Sequence, residues 1–227
     1  MNRLFLSLLS VSLFLAFVVP AFAEQFLFLA ASKDPNLVSF TVDPKSGALV
    51  EHASVELPGT GGPMSLTSDG KLLYVESHIR KEGETRPVPH IVTLKNEGGS
   101  FSVLHTAQVR LRSPSIHVDA TGKNLLGAHY GPGEVSVWQI EDGICTGKLL
   151  DGQKTDERAH FIVTDPSNRF AYVPQTTPNS VFQFALDAEN GKLTPLEPPF
   201  AKGPDEDNEY HQPRHYAHHP TLPMGFT

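Results

Sequence analysis

A single cysteine, Cys145, stands in 227 residues. No intrachain disulfide can form, and a thiolate-rich zinc site is excluded. Basic residues are outnumbered: 18 Lys and Arg against 25 Asp and Glu leave a formal net charge of −7 with His neutral. That balance lacks the basic face on which a general nucleic-acid or anionic-membrane binder depends. No segment sustains a helical period of apolar residues. No Gly-x-Ser-x-Gly elbow occurs, so an elbow-type serine esterase is not expected. Gly59-Thr60-Gly61-Gly62 lacks the Lys-Ser/Thr pair of a phosphate-binding loop and opens no helix.

What is present is core and turns. Apolar residues are 39% of the chain and include 14 Phe, enough for a packed interior. The 18 Gly and 19 Pro favour many tight turns over long helices. Residues 1–23 read as a secretory leader. Arg3 supplies the positive end, residues 4–19 are almost wholly apolar, and Ala21-Phe22-Ala23 is a small-x-small cleavage pattern. The apolar run is shorter than the roughly 20 residues a spanning helix needs. The expectation is cleavage after Ala23, no stable membrane insertion, and a mature chain, 24–227, that is periplasmic or secreted. Cys145 then has no partner and is expected to be a buried apolar residue.

The mature part repeats. Four segments share one grammar, starting near Pro63, Pro114, Ala159 and Pro213. In each, a short strand meets a turn of Asp, Gly, Asn or Ser type, then an alternating apolar strand. Gly70, Gly122 and Asn168 stand where the turn wants a positive φ. Third strands are expected over 37–42, 135–140 and 181–186, and short fourth strands over 48–50 and 193–196. Four strands in about 45–50 residues is the size of one propeller blade. The expected fold is an all-β propeller of four-stranded antiparallel blades, about four of them. Counted from the prolines, the first two inner strands look shortened. In the last segment Thr221-Leu222-Pro223 replaces the Gly or Asn of the turn.

Several of these pieces are specific. They are Tyr130-Gly131-Pro132-Gly133-Glu134-Val135, Arg158-Ala159-His160, Asp187-Ala188-Glu189-Asn190-Gly191-Lys192-Leu193-Thr194-Pro195 and Gln212-Pro213-Arg214-His215. In this order they resemble the lactonase family of seven-bladed propellers. That family contains the propeller-type 6-phosphogluconolactonases and the carboxymuconate-lactonizing enzymes. The resemblance implies seven blades, so the ring is expected to be incomplete here and prone to self-association. It implies a small-molecule lactone as partner and no cofactor. It places His160 as proton acceptor and Arg214 as electrostatic clamp, with Arg158, His215, His129 and Gln175 as lining groups. The Asn-Glu strand that follows Pro-Arg-His in the family has no counterpart in this sequence. Ser77, His129 and Gln175 stand where the family has Asn or Asp.

The residue types suit the chemistry. Opening a cyclic ester needs an activated water and a donor for the oxyanion. A neutral His takes the proton near neutral pH, and an Arg fork holds the anion. The expected function is an exported sugar-lactone hydrolase of 6-phosphogluconolactonase type. The alternatives are a muconate-type cycloisomerase and a non-catalytic propeller that binds a ligand or partner. His211, His215, His218 and His219 crowd the C-terminus, but the repeat sends His215 and His219 to different ends of a strand, so no metal site is expected. The acidic run 205–209 lacks the spacing of a calcium loop.

Overall fold

Side chains alternate between the two faces of a strand, and in the middle of this chain both faces are buried. Strands β5 (Leu72–Ile79) and β9 (Asn124–His129) are buried along nearly their whole length. Such strands must be covered on both sides, so the sheets stack face to face. The computed structural model describes residues 24–177, 179–203 and 212–227. The leader, the acidic run 205–209 and His211 lie outside the described residues. Among the described residues there are strands and turns and no helix.

The strands form five antiparallel sheets in chain order. The first holds β1 (Phe26–Ala30), β2 (Asn36–Val42) and β3 (Leu49–Glu56). The second holds β4 (Thr60–Leu66), β5, β6 (Val88–Glu97) and β7 (Ser100–Gln108). The third holds β8 (Ser115–Val118), β9, β10 (Glu134–Glu141) and β11 (Ile144–Lys154). The fourth holds β12 (Val163–Thr164), β13 (Phe170–Gln175), β14 (Ser180–Asp187) and β15 (Lys192–Lys202). The last pairs β16 (Ala217–His218) with β17 (Gly225–Phe226). This is the four-stranded meander expected of propeller blades, with three complete units flanked by two partial ones.

One apolar cluster sits in each of the three gaps between the first four sheets. Leu37, Leu73, Val75 and Leu94 join the first sheet to the second. Tyr74, Ile91, Leu125, Trp138 and Cys145 join the second to the third. Ala128, Val137, Val173 and Phe184 join the third to the fourth. Cys145 is fully buried, as the sequence suggested. The fourth strands run longer than expected: β11 and β15 have 11 residues each. Bulges in the β2–β3, β10–β11 and β14–β15 pairings let these outer strands bend and continue.

The turn between first and second strands sets the repeat register. Its closing bond runs from the N–H of Thr67, Asp119, Asp165 and His219 to Leu72, Asn124, Phe170 and Met224. Gly70, Gly122 and Asn168 take the positive φ expected of them. Counted back from these bonds, Gly61, Ser113, Ala159 and Pro213 are equivalent. The first inner strands are therefore not shortened, because proline is not the repeating position. The fourth turn keeps the closing bond without a Gly or Asn: the His219 Nδ1 also accepts from the N–H of Thr221 and Leu222 at 3.2 and 3.0 Å.

Candidate active site

The residues just before each inner strand gather at one end of the stacked sheets. His160 and Arg214 each stand five positions before the closing residue of the turn, at Asp165 and His219. They are thus the same position of consecutive repeats, which is why 54 residues of separation become contact. The His160 Nδ1 lies 3.0 Å from the Arg214 carbonyl. A carbonyl only accepts, so Nδ1 carries the proton and Nε2 keeps its lone pair. The Arg214 Nη1 lies 3.5 Å from that Nε2, at the limit of a hydrogen bond. One residue therefore sets the tautomer through its backbone and brings a cation beside the basic nitrogen through its side chain.

Aromatic rings hold the imidazole in place. Tyr130 meets it edge-on at 5.9 Å between centroids, and His215 meets it at 5.4 Å. His215 in turn packs edge-on against Phe161 at 5.7 Å. The Thr176 hydroxyl donates to the Tyr130 hydroxyl at 3.3 Å. Arg158 lies on the same rim with φ of 65°, a left-handed conformation costly for a long side chain. Its N–H donates to the Tyr130 carbonyl at 3.0 Å, and its guanidinium donates to Thr177 at 3.0 Å. Arg158, Arg214 and His215 are exposed, whereas His160 is partly buried. Burial holds the His160 imidazole below its ordinary value. The Arg214 carbonyl pulls it back up, and the Arg214 and His215 charges push it down. A groove of about 710 Å³ opens beside Arg214 and His215, bordered by Ser180, Lys202 and Gln212.

The other two expected lining residues sit elsewhere. His129 is fully buried inside the third sheet. Its Nδ1–H donates to the Arg112 carbonyl at 3.1 Å, its Nε2 lies 2.9 Å from the Ser136 hydroxyl, and its ring meets Trp138 edge-on. Both nitrogens are thus engaged by the protein. Gln175 is also fully buried, and its amide has no hydrogen-bond partner among the described residues. Strand alternation puts it on the face of Val173, toward the third sheet rather than the open rim. Sequence reasoning did not single out Tyr130 as a site residue. The available signal was its place directly after β9, beside the equivalent of Gln175.

Two further imidazoles make stability pH-dependent. His117 on β8 reaches Thr164 of the neighbouring inner strand at 3.0 Å, and burial pushes its pKa down from 6.5 to about 4. Asp119 opposes that shift and His218 adds to it. Burial also lowers His129, against the pull of the Arg112 carbonyl. Between these values and 6.5 the unfolded chain binds protons that the folded chain does not. Stability therefore falls as pH drops from about 6.5 to about 4. Melting temperatures across that range are expected to fall less steeply for His117→Asn than for the parent. Parallel slopes would show that His117 does not contribute.

Among the described residues no cluster of His, Cys, Asp and Glu could hold a metal ion. Nor, among them, is any helix long and apolar enough to cross a membrane.

The family model "Lactonase, 7-bladed beta-propeller" matches residues 30–226. The chain belongs to the lactonase family of seven-bladed β-propellers. Among curated relatives, the 6-phosphogluconolactonase of Cronobacter sakazakii strain ATCC BAA-894 is 24% identical over 208 residues, which is 89% of this chain and 57% of that protein. The 6-phosphogluconolactonase of Enterobacter sp. strain 638 is 27% identical over 178 residues, 77% of this chain and 49% of that protein. This lactonase-family chain thus spans about half the length of the curated relatives it matches. Among solved structures, the periplasmic gluconolactonase PpgL of Pseudomonas aeruginosa superposes with a TM-score of 0.69 at 16% identity. The superposition covers 86% of this chain and 58% of that one, and at this identity it speaks for the fold.

Proposed function

We propose that the protein opens a sugar lactone by general-base hydrolysis; the curated relatives it matches are named 6-phosphogluconolactonases. The observation that carries this reading is the His160–Arg214 pair, with Nε2 unprotonated beside a guanidinium. A water held at Nε2 gives up its proton as it attacks the lactone carbonyl. The negative charge that develops on the carbonyl oxygen is met by Arg214. Arg158 and His215 border the ligand, while His129 and Gln175 are buried at the ends of β9 and β13. The leader reading of residues 1–23 makes this an exported enzyme, and the periplasmic relative PpgL is in keeping with it. Outside the cytoplasm an unphosphorylated lactone is the more accessible substrate.

The binding-only reading draws on one observation. Among the described residues no carboxylate contacts His160 or Arg214 to balance an imidazolium. One experiment separates the two. Opening of glucono-lactone and of its 6-phosphate by the purified, cooperatively melting protein is measured against the spontaneous reaction. Hydrolysis above background on either supports the lactonase, and the faster substrate decides the phosphate question. A folded protein with no rate on either leaves the binding propeller.

A further inference from the structure

One buried carboxylate has no part in the His160 site. Glu76, on β5, is fully buried. Its repeat equivalents are Ala128 and Pro174, so the blade itself does not need an acid at this position. Burying a charge is costly unless it is paired and hydrogen-bonded. Here it is. The Ser113 N–H donates to both carboxylate oxygens, at 3.1 and 3.0 Å, and the His78 Nε2 lies 2.7 Å from Oε1. An ionised carboxylate only accepts, so His78 Nε2 carries the proton and Nδ1 is left as acceptor. The Arg112 Nη2 fills it at 2.9 Å. The Arg112 Nε then lies alongside Nε2 at 3.2 Å as a close approach of the guanidinium. The chain Glu76–His78–Arg112 thus runs from a buried anion to an exposed cation.

Arg112 occupies a functional address. It stands seven residues before Asp119, as Arg158 stands seven before Asp165. The end of β9 lies between the two. His129 donates to the Arg112 carbonyl, and Arg158 donates to the carbonyl of Tyr130, whose ring packs on His160. Arg112 forms no ion pair with a carboxylate among the described residues, and its Nη1 has no partner among them. A neighbouring cation, Arg110, is instead paired with Glu134.

We propose that Arg112, held by the Glu76–His78 pair, is an anion-binding arm of the rim that receives a phosphate or carboxylate substituent of the ligand. Fixing the guanidinium beforehand removes the side-chain ordering that binding would otherwise require, and leaves the Nη1 donors to the anion. This rests on the lactonase reading only for the rest of the ligand.

The test is equilibrium titration of the whole protein with gluconate, 6-phosphogluconate and glucarate. The first lacks a second anionic group, the second adds a phosphate and the third a carboxylate. The protein is expected to prefer at least one of the latter two by about tenfold or more, in keeping with a charge-assisted Arg contact. Arg112→Gln is expected to lose that preference while binding gluconate as before, and Arg112→Lys to restore part of it. The Arg112 side chain is exposed, so the melting temperature of Arg112→Gln is expected to stay close to the parent's. Glu76→Gln, if folded, weakens the same preference because the His78 proton loses its charged acceptor. Equal or absent binding of the three ligands by the parent overturns the proposal, as does a preference kept in folded Arg112→Gln. If the preference depends on Arg112 but no lactone is hydrolysed, the anion arm stands and the lactonase reading falls.

Discussion

Replacing His160 by Asn is expected to lower kcat/KM for lactone opening by about 10²–10⁴-fold, the range a positioned general base supplies. The side chain makes no core contact that the fold depends on, since it is partly buried at the open end of the stack. The loss should therefore fall on kcat, with the melting temperature nearly unchanged. The pH profile gives an independent readout. Burial lowers the His160 pKa. The neutral, base-active form thus persists below the ordinary histidine value, and the acid limb of kcat/KM lies under 6.5. Arg214→Gln removes the clamp yet keeps the backbone carbonyl that sets the tautomer. It should lower the rate and, by removing a nearby positive charge, move that acid limb upward. A His160→Asn protein hydrolysing lactone at the parental rate would remove His160 from the chemistry.

Trp138→Ala is expected to be the most damaging single change to stability. Trp138 is 2% exposed and lies in the cluster between the second and third sheets, with its ring edge against His129. The residue paired with it across β9 and β10 is Leu125, and its indole lies over Gly127, one diagonal away. A Cβ there would fall 2.5 Å from the indole, so the glycine is where the ring fits. Gly127 carries no side chain to fill the space once the indole is gone. Large aromatic-to-alanine changes in cores cost about 3–5 kcal/mol. At roughly 2–4 °C per kcal/mol for a chain of this size, the melting temperature should drop by roughly 6–20 °C. Cys145 reports on the same cluster. Burial pushes its thiol up to about 11, so it should resist thiol reagents in the parent and react faster in the variant. A shift of a degree or two with an unreactive thiol would mean that the interface repacks.

Repeat and chemistry were legible to different degrees. The turns could be read because their signals are local: Gly70, Gly122 and Asn168 sit where a positive φ is needed, whatever packs around them. The His160–Arg214 meeting could be read because repeats superpose equivalent positions on adjacent inner strands. The register of the first two repeats could not be read from proline, because Pro63 and Pro114 are not equivalent to Ala159 or Pro213. His129 and Gln175 had the right repeat position for the rim but face inward. A second strand covered on both sides buries polar residues at its end as readily as apolar ones.

The amino-acid sequence by itself determined the β-meander, its turn positions and the propeller architecture. These follow from alternation and from turn geometry, which are properties of neighbours along the chain. The candidate His160–Arg214 pair rested on the repeat together with the family resemblance. Only the tertiary structure decided which of the polar residues stay open to a ligand. Burial depends on the next sheet: the third sheet covers Glu76 and turns it from a surface acid into the anchor of His78 and Arg112. The same stacking encloses the His129 ring and leaves His160, one repeat later, at the rim.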